Sequence, residues 1–211
     1  MYLIRGQHNL DLFNSRFPRL RLCGTIGNFD GLHLGHQAIL NKVKKNAQQN
    51  DAKTIVFFTE PHASEYFAKV REQNIMPPPR ICPWREKLKL LRQNKIDFAF
   101  FLKFNDSLRT MPPEDFISEI LESINLVSFT VGDDFRFGEN RKGDSNLLKS
   151  WGDKNNVIVE NTETILHKGE RVSSTRIRNE LMNNNFDLAE ELLGRPYTFS
   201  GKVVHGQHLG R

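Results

Sequence analysis

The sequence predicts an α/β fold, a parallel β-sheet covered by helices on both faces. Two observations carry that prediction. Apolar runs alternate with amphipathic stretches along nearly the whole chain, the order expected of repeated strand–helix–strand units. One of the runs, Thr54–Phe58, is short, β-branched and aromatic, consistent with a strand buried in a sheet whose two faces are both covered.

The elements follow in order. Leu20–Gly27 reads as a strand, and Leu34–Gln49 as a helix ending on a polar Lys/Asn/Gln face. Thr54–Phe58 is the next strand. In Trp84–Arg92 the apolar Trp84, Leu88 and Leu91 recur at i, i+4 and i+7, one face of a helix. Phe98–Leu102 is a strand, and Pro112–Ser123 a helix whose Pro112-Pro113 start suits a first turn. Val127–Val131 and Val157–Val159 are strands flanking a short helix at Asp144–Trp151, and Ser174–Met182 and Asp187–Leu193 are closing helices. The arrangement is Rossmann-like, and ligands of such sheets bind at the carboxyl ends of the strands. Two segments break the alternation. Asn74–Pro83 carries Pro77-Pro78-Pro79 and Pro83 and is expected to run over the surface. Gly194–Arg211 holds four glycines and no acid, and its Tyr-Thr-Phe and Val-Val pairs read as strand and turn. Residues 1–193 are therefore expected to form one domain. Residues 194–211 differ in composition from the helical stretch before them and are too short to fold alone.

Composition excludes several classes. Lys and Arg outnumber Asp and Glu by 30 to 25, but three of those cations lie in the acid-free tail. No clustered Lys/Arg stripe is present, so nucleic acid is not an expected partner. No apolar run reaches the ~18 residues of a membrane span, and Met1–Gly6 shows no signal-peptide pattern. Cys23 and Cys82 are too few for a disulfide framework or a Cys-based zinc site, which points to a reduced, cytoplasmic compartment.

Chemistry concentrates in three places. Gly27-Asn28-Phe29-Asp30-Gly31-Leu32-His33-Leu34-Gly35-His36 follows a strand and opens a helix, where free N–H groups and the helix dipole attract phosphate. His33 and His36 share one side of the first turn and can donate to phosphoryl oxygens as charge grows in a transition state. Gly31 and Gly35 remove side chains where a ligand approaches the backbone. The pair could instead ligate a metal with Asp30 as third ligand, and a lone histidine there would simply be packing. Neither Gly-x-Gly-x-x-Gly nor Gly-Lys-Ser/Thr is present. The second place is Ser173-Ser174-Thr175-Arg176-Ile177-Arg178, at the start of a helix. Ser and Thr there cap routinely, but Arg176 and Arg178 oppose the dipole unless an anion is bound. The third is Val131–Gly138, where a strand ends in Asp133-Asp134 and a Phe-Arg-Phe alternation. By itself that is equally a solvent-facing strand end.

Together these stretches resemble the bacterial bifunctional riboflavin kinase/FAD synthetase family. The His33-Leu34-Gly35-His36 stretch looks like the His-x-Gly-His motif of the nucleotidylyltransferase superfamily. Val131–Gly138 and Val172–Arg178 are similar to the family's later motifs in order and spacing. The resemblance implies transfer of AMP from ATP to FMN, giving FAD and pyrophosphate. It implies His33, His36 and Arg178 at the transferring phosphoryl group. Gly27, Asn28, Phe29, Asp30, Gly31, Gly35, Ser174, Thr175 and Arg178 would bind ATP, with Mg²⁺ arriving on its phosphates. Glu60-Pro61-His62 resembles the family's Phe-Glu-Pro-His-Pro loop, implying Pro61 and His62 at FMN, with Asp134 and Phe135 lining the same site. Thr59 and Ala63 depart from that loop. Arg80–Lys87 resembles a basic segment of the family, and Arg85 and Lys87 are expected on a solvated face. Gly194–Arg211 resembles the opening strand of the kinase domain, without its Pro-Thr-Ala-Asn motif, so riboflavin kinase activity is expected to be absent. A nucleotidylyltransferase with another acceptor and a non-catalytic flavin- or nucleotide-binding module are the alternatives.

Overall fold

A computed structural model describes residues 1–70 and 76–201. The elements run β1 (Tyr2–Arg5), α1 (Leu10–Arg16), β2 (Leu22–Ile26), α2 (Leu34–Gln49), β3 (Lys53–Glu60), α3 (Ala63–Val70), α4 (Trp84–Gln93), β4 (Phe98–Lys103) and α5 (Asp106–Thr110). They continue with α6 (Pro113–Phe116), β5 (Leu126–Gly132), α7 (Ser145–Asn155), β6 (Ile158–Thr162), β7 (Leu166–His167), β8 (Glu170–Arg171), α8 (Ser174–Met182) and α9 (Phe186–Leu193). The six longer strands form one parallel sheet in the order β1-β4-β3-β2-β5-β6. β7 and β8 make a small antiparallel pair.

Both faces of the sheet are buried, and β3 shows how. Ile55 and Phe57 join the core that also holds Phe13, Phe100, Phe129 and Leu148. Val56 and Phe58 point the other way, into a core with Leu40, Leu90, Leu91 and Ala99. Successive residues of a strand face opposite sides, so a run apolar at every position requires cover on both. Each such Phe, buried completely, contributes enough that truncation to Ala costs about 3–5 kcal/mol.

The expected elements are present, with differences at their ends. The Pro112–Ser123 helix starts at Pro113 but changes to a π-helical turn over Ile117–Leu121. The Asp144–Trp151 helix uses Asp144 as its cap, accepting from the Asn146 and Leu147 amides, and runs on to Asn155. The sequence reading missed β1 and α1, which complete the outer edge through Phe13, Phe17, Tyr2 and Phe98 ring contacts. The proline-rich stretch is not simply a surface excursion. Asn74 and Ile75 lie outside the described residues, but Ile81 and Cys82 are buried. Tyr197–Phe199 forms no strand. Tyr197 packs on the cluster of Ile177, Leu192 and Leu193, and the Val203-Val204 part of the tail lies outside the described residues. No helix of the described residues is long and apolar enough to cross a membrane.

Chain order reverses between β2 and β5, which makes their carboxyl ends the topological switch point of the sheet. The β2–α2 loop, the β5 loop and the start of α8 all meet there.

Candidate active site

The loop after β2 is built from left-handed backbone. Phe29, Gly31 and Leu32 have φ of 47°, 78° and 41°, and two of them are not glycine, a conformation held only where the surroundings over-determine it. Gly31 is required for a second reason: a Cβ there would lie 2.8 Å from Ile81 Cγ2. What holds the loop is Asp30. Its buried carboxylate accepts from the amides of Ile81 and Cys82 and pairs with the Arg178 guanidinium at 2.6 Å. Ser174 Oγ donates to the Asp30 carbonyl at 3.1 Å. The N-terminus of α8 is thereby drawn against the loop that opens α2.

His33 is the N-cap of α2, and its Nδ1 accepts from the His36 amide at 3.3 Å. The two rings stack, centroids 3.7 Å apart and 19° from coplanar. Gly35 allows this, since a Cβ there would press on the His33 ring at 3.1 Å. Burial holds His33 down at about 4, with Arg171, Arg195 and Arg178 adding to the effect and Asp30 opposing it. Burial, His33 and Lys87 push His36 well below its ordinary value. Both rings are therefore neutral near pH 7. His36 keeps a partly exposed edge, while its Nδ1 is buried with no partner among the described residues. The metal alternative loses its third ligand, because Asp30 is committed to Arg178 and two amides. Among the described residues no three His, Cys, Asp or Glu side chains gather to hold a metal.

The cations of α8 have partners within the protein. Arg178 pairs with Asp30 and donates to the Pro79 carbonyl. Arg176 pairs with Glu170 and donates to the carbonyls of His167 and Glu170. A bound anion is thus not needed to explain either arginine. Capping falls to Ser173, which accepts from the Arg176 amide, and Ser174 and Thr175 follow at the first turn.

On the neighbouring strand, a cis Glu60–Pro61 bond leads into His62. Thr59 donates to Asn28 Oδ1 at 3.4 Å, tying this loop to the one after β2. Arg80 bridges Glu60, at 2.6 Å, and Glu65. The Glu65 carboxyl is held below its ordinary value chiefly by Arg80 and accepts from the His62 amide. On the β5 side Asp134 is exposed and pairs with Arg171 at 2.8 Å, and Asp133 contacts the same arginine and Thr164. Phe135 stacks on Phe137, centroids 5.6 Å apart. Gly27 and Asn28 stand between these two loops at the end of β2.

Two residues escaped sequence reasoning. Arg195 donates to the Gly31 carbonyl at 2.7 Å and reaches those of Leu32 and Leu193, joining the end of α9 to the loop. No sequence signal marked it. Lys87, expected on a solvated face, is completely buried against His62. Its spacing was informative: it lies three residues after Trp84 and four before Leu91, on the apolar face of α4.

A parallel sheet whose switch point brings a His-x-Gly-His turn and a second helix N-terminus to one loop defines a nucleotidylyltransferase-like α/β protein. The fold agrees with solved structures: a chain titled macrolide-efflux protein from Streptococcus pneumoniae (TM-score 0.78, 22% identity, covering 93% of this chain and 72% of that one). A pantoate-beta-alanine ligase from Francisella tularensis is also similar (TM-score 0.53, 14% identity, 92% and 85%). The sequence profile of the FAD synthetase family matches residues 20–176, and the chain belongs to that family. It is 39% identical to the bifunctional riboflavin kinase/FMN adenylyltransferases of Buchnera aphidicola subsp. Schizaphis graminum and Escherichia coli K12, across 100% of this chain. The chain spans 65% of the length of those relatives.

Proposed function

We propose that the chain transfers AMP from ATP to FMN. An oxygen of the FMN phosphate attacks the α-phosphorus of ATP, the bond from that phosphorus to the β-bridging oxygen breaks, and pyrophosphate leaves with the electron pair. The nucleophile needs no general base, because the second pKa of a phosphomonoester is ~6 and the group is mostly dianionic near pH 7. The work left to the protein is alignment of two anions and stabilisation of charge.

The observation that carries this reading is the meeting of two helix N-termini, α2 and α8, over the Asp30 loop. The start of a helix is a setting for phosphates. His33 and His36, neutral before substrate arrives, would donate to the transferring phosphoryl group, whose charge draws their protons in. Ser174, Thr175 and Arg178 would hold the β- and γ-phosphates, with Gly27, Asn28, Phe29, Gly31 and Gly35 shaping the nucleotide side. Arg178 is then a shared cation, exchanging part of its contact with Asp30 for the substrate. Pro61 and His62 on one side and Asp134 and Phe135 on the other would flank FMN. Mg²⁺ would travel with the ATP phosphates, needing few protein ligands, and no step is assigned to a protein-held metal. Two buried, unpaired cysteines suit a reducing, cytoplasmic setting.

Incubation with FMN, ATP and Mg²⁺ should yield FAD and pyrophosphate in equal amounts by chromatography and a coupled phosphate assay. Absence of FAD above a protein-free control overturns the reading.

A further inference from the structure

Lys87 is the most unusual charged group of the described residues. Its side chain is 0% exposed. Its Nζ lies 3.3 Å from His62 Nε2 and 4.9 Å above the centre of the Phe58 ring. Among the described residues it forms no ion pair, although buried cations normally have a carboxylate beside them. Burial pushes the Lys87 ammonium below its ordinary value and Arg80 adds to that shift, while Asp30, Cys82 and Glu60 oppose it. Burial also lowers His62, with Lys87 and Arg80 adding to the shift and Asp30 and Glu65 opposing it. Lys87 also acts on His36, so its charge reaches both the β2 and β3 loops.

An ammonium has only donors. With Lys87 donating, Nε2 of His62 must accept, and the single proton of the neutral ring sits on Nδ1. No group among the described residues accepts from that Nδ1–H.

We propose that Lys87 is a positioning residue. It fixes His62 as the Nδ1–H tautomer, leaving that N–H to donate to the phosphate of FMN, and the phosphate supplies the negative charge that the buried ammonium lacks. Lys87 never touches the substrate; it acts through His62. The choice of FMN rests on the reaction proposed above, whereas the tautomer does not.

Three measurements test this. In the wild-type protein, imidazole ¹⁵N shifts at neutral pH should show His62 protonated on Nδ1; an Nε2–H ring overturns the proposal. Lys87→Met keeps the volume and removes the charge. It should stay folded, with no loss of melting temperature, yet lose about 10²-fold in kcat/KM for FMN while KM for ATP holds. Unchanged FMN kinetics in that variant overturn the proposal, and so does an equal rise of both KM values. Adding His62→Gln to Lys87→Met should cost little more than either alone, because the two act as one unit; additive losses overturn it. Inorganic phosphate titrated into the wild type should shift the His62 ring signals, and Lys87→Met should weaken that response. If no FAD forms, the assigned reaction falls, while the tautomer and phosphate titrations still decide the role of Lys87.

Discussion

The loops after β2 and β3 lie side by side at the same edge of the sheet, and they are held by opposite means. In the β2 loop the backbone carries the strain, through left-handed Phe29, Gly31 and Leu32, and the charge is closed locally. Asp30 meets Arg178 and two amides, and Arg195 satisfies the carbonyls on the far side. In the β3 loop the side chains carry the load. Arg80 is shared by Glu60 and Glu65, and Lys87 is buried with a histidine in place of a carboxylate. The first loop is organised before any ligand arrives. The second buries an ammonium with no carboxylate in contact among the described residues. The difference teaches that neighbouring loops of one sheet can be held by unlike means, one by a closed ion pair and the other, under the role proposed for Lys87, by a socket that substrate would complete.

The largest expected effect tests the cradle. Asp30→Ala leaves Arg178, mostly shielded from solvent, and two buried amides without an acceptor. Removing one partner of a buried pair typically costs about 3–5 kcal/mol, measurable by urea unfolding at pH 7. Lys87→Met should show no such loss. Equal destabilisation of the two variants would erase the contrast between the loops.

Next comes the chemistry of the stacked rings. His36→Ala should lower FAD formation by about 10²–10³-fold and leave the circular dichroism spectrum unchanged. Near-wild-type turnover would remove the histidine pair from the reaction.

The third effect belongs to pH. Folded His33 titrates at about 4, and an unfolded histidine near 6.5. Between those values the unfolded chain holds the extra proton, so stability is complete above pH ~6.5 and falls as the solution is acidified toward pH 4. For this one group the loss amounts to about 3 kcal/mol. Urea midpoints followed from pH 7 to pH 4.5 should fall more steeply in the wild type than in His33→Gln. Parallel curves would mean that burial of this ring carries no such cost.

The contrast between the loops also explains what could be read in the sequence. The β2 loop was legible because its chemistry is contiguous: glycines, two histidines and the start of a helix occupy ten adjacent residues, Gly27–His36, directly after a strand. The sheet was legible for a similar reason, since Ile55–Phe58 can be buried at every position only between two layers. Arg178 was found, but its partner Asp30 lies 148 residues away, and no local rule pairs them. The β3 loop depends on Arg80, which lies within the proline-rich stretch, and on Lys87, just beyond it. Charge alone assigns such residues to the surface, as it did Lys87, although the helical spacing from Trp84 pointed inward. Arg195 was hidden by composition, because it sits in a glycine-rich, acid-free tail.

The smallest effect concerns the β5 side, which resembles neither loop. Asp134 and Arg171 pair at 2.8 Å with side chains 67% and 47% exposed. Exposed pairs of this kind contribute about 0–1 kcal/mol, so Asp134→Ala should barely move the melting temperature. Its value lies in the kinetics. A residue that binds substrate and transition state equally raises KM with kcat unchanged when removed, and that is the expected result for FMN if Asp134 flanks it. Unchanged KM would confine the flavin to the β3 loop and to the Phe135–Phe137 stack. In that case the cradle and the socket alone would account for the site, and the acidic end of β5 would serve only to anchor Arg171 near His33.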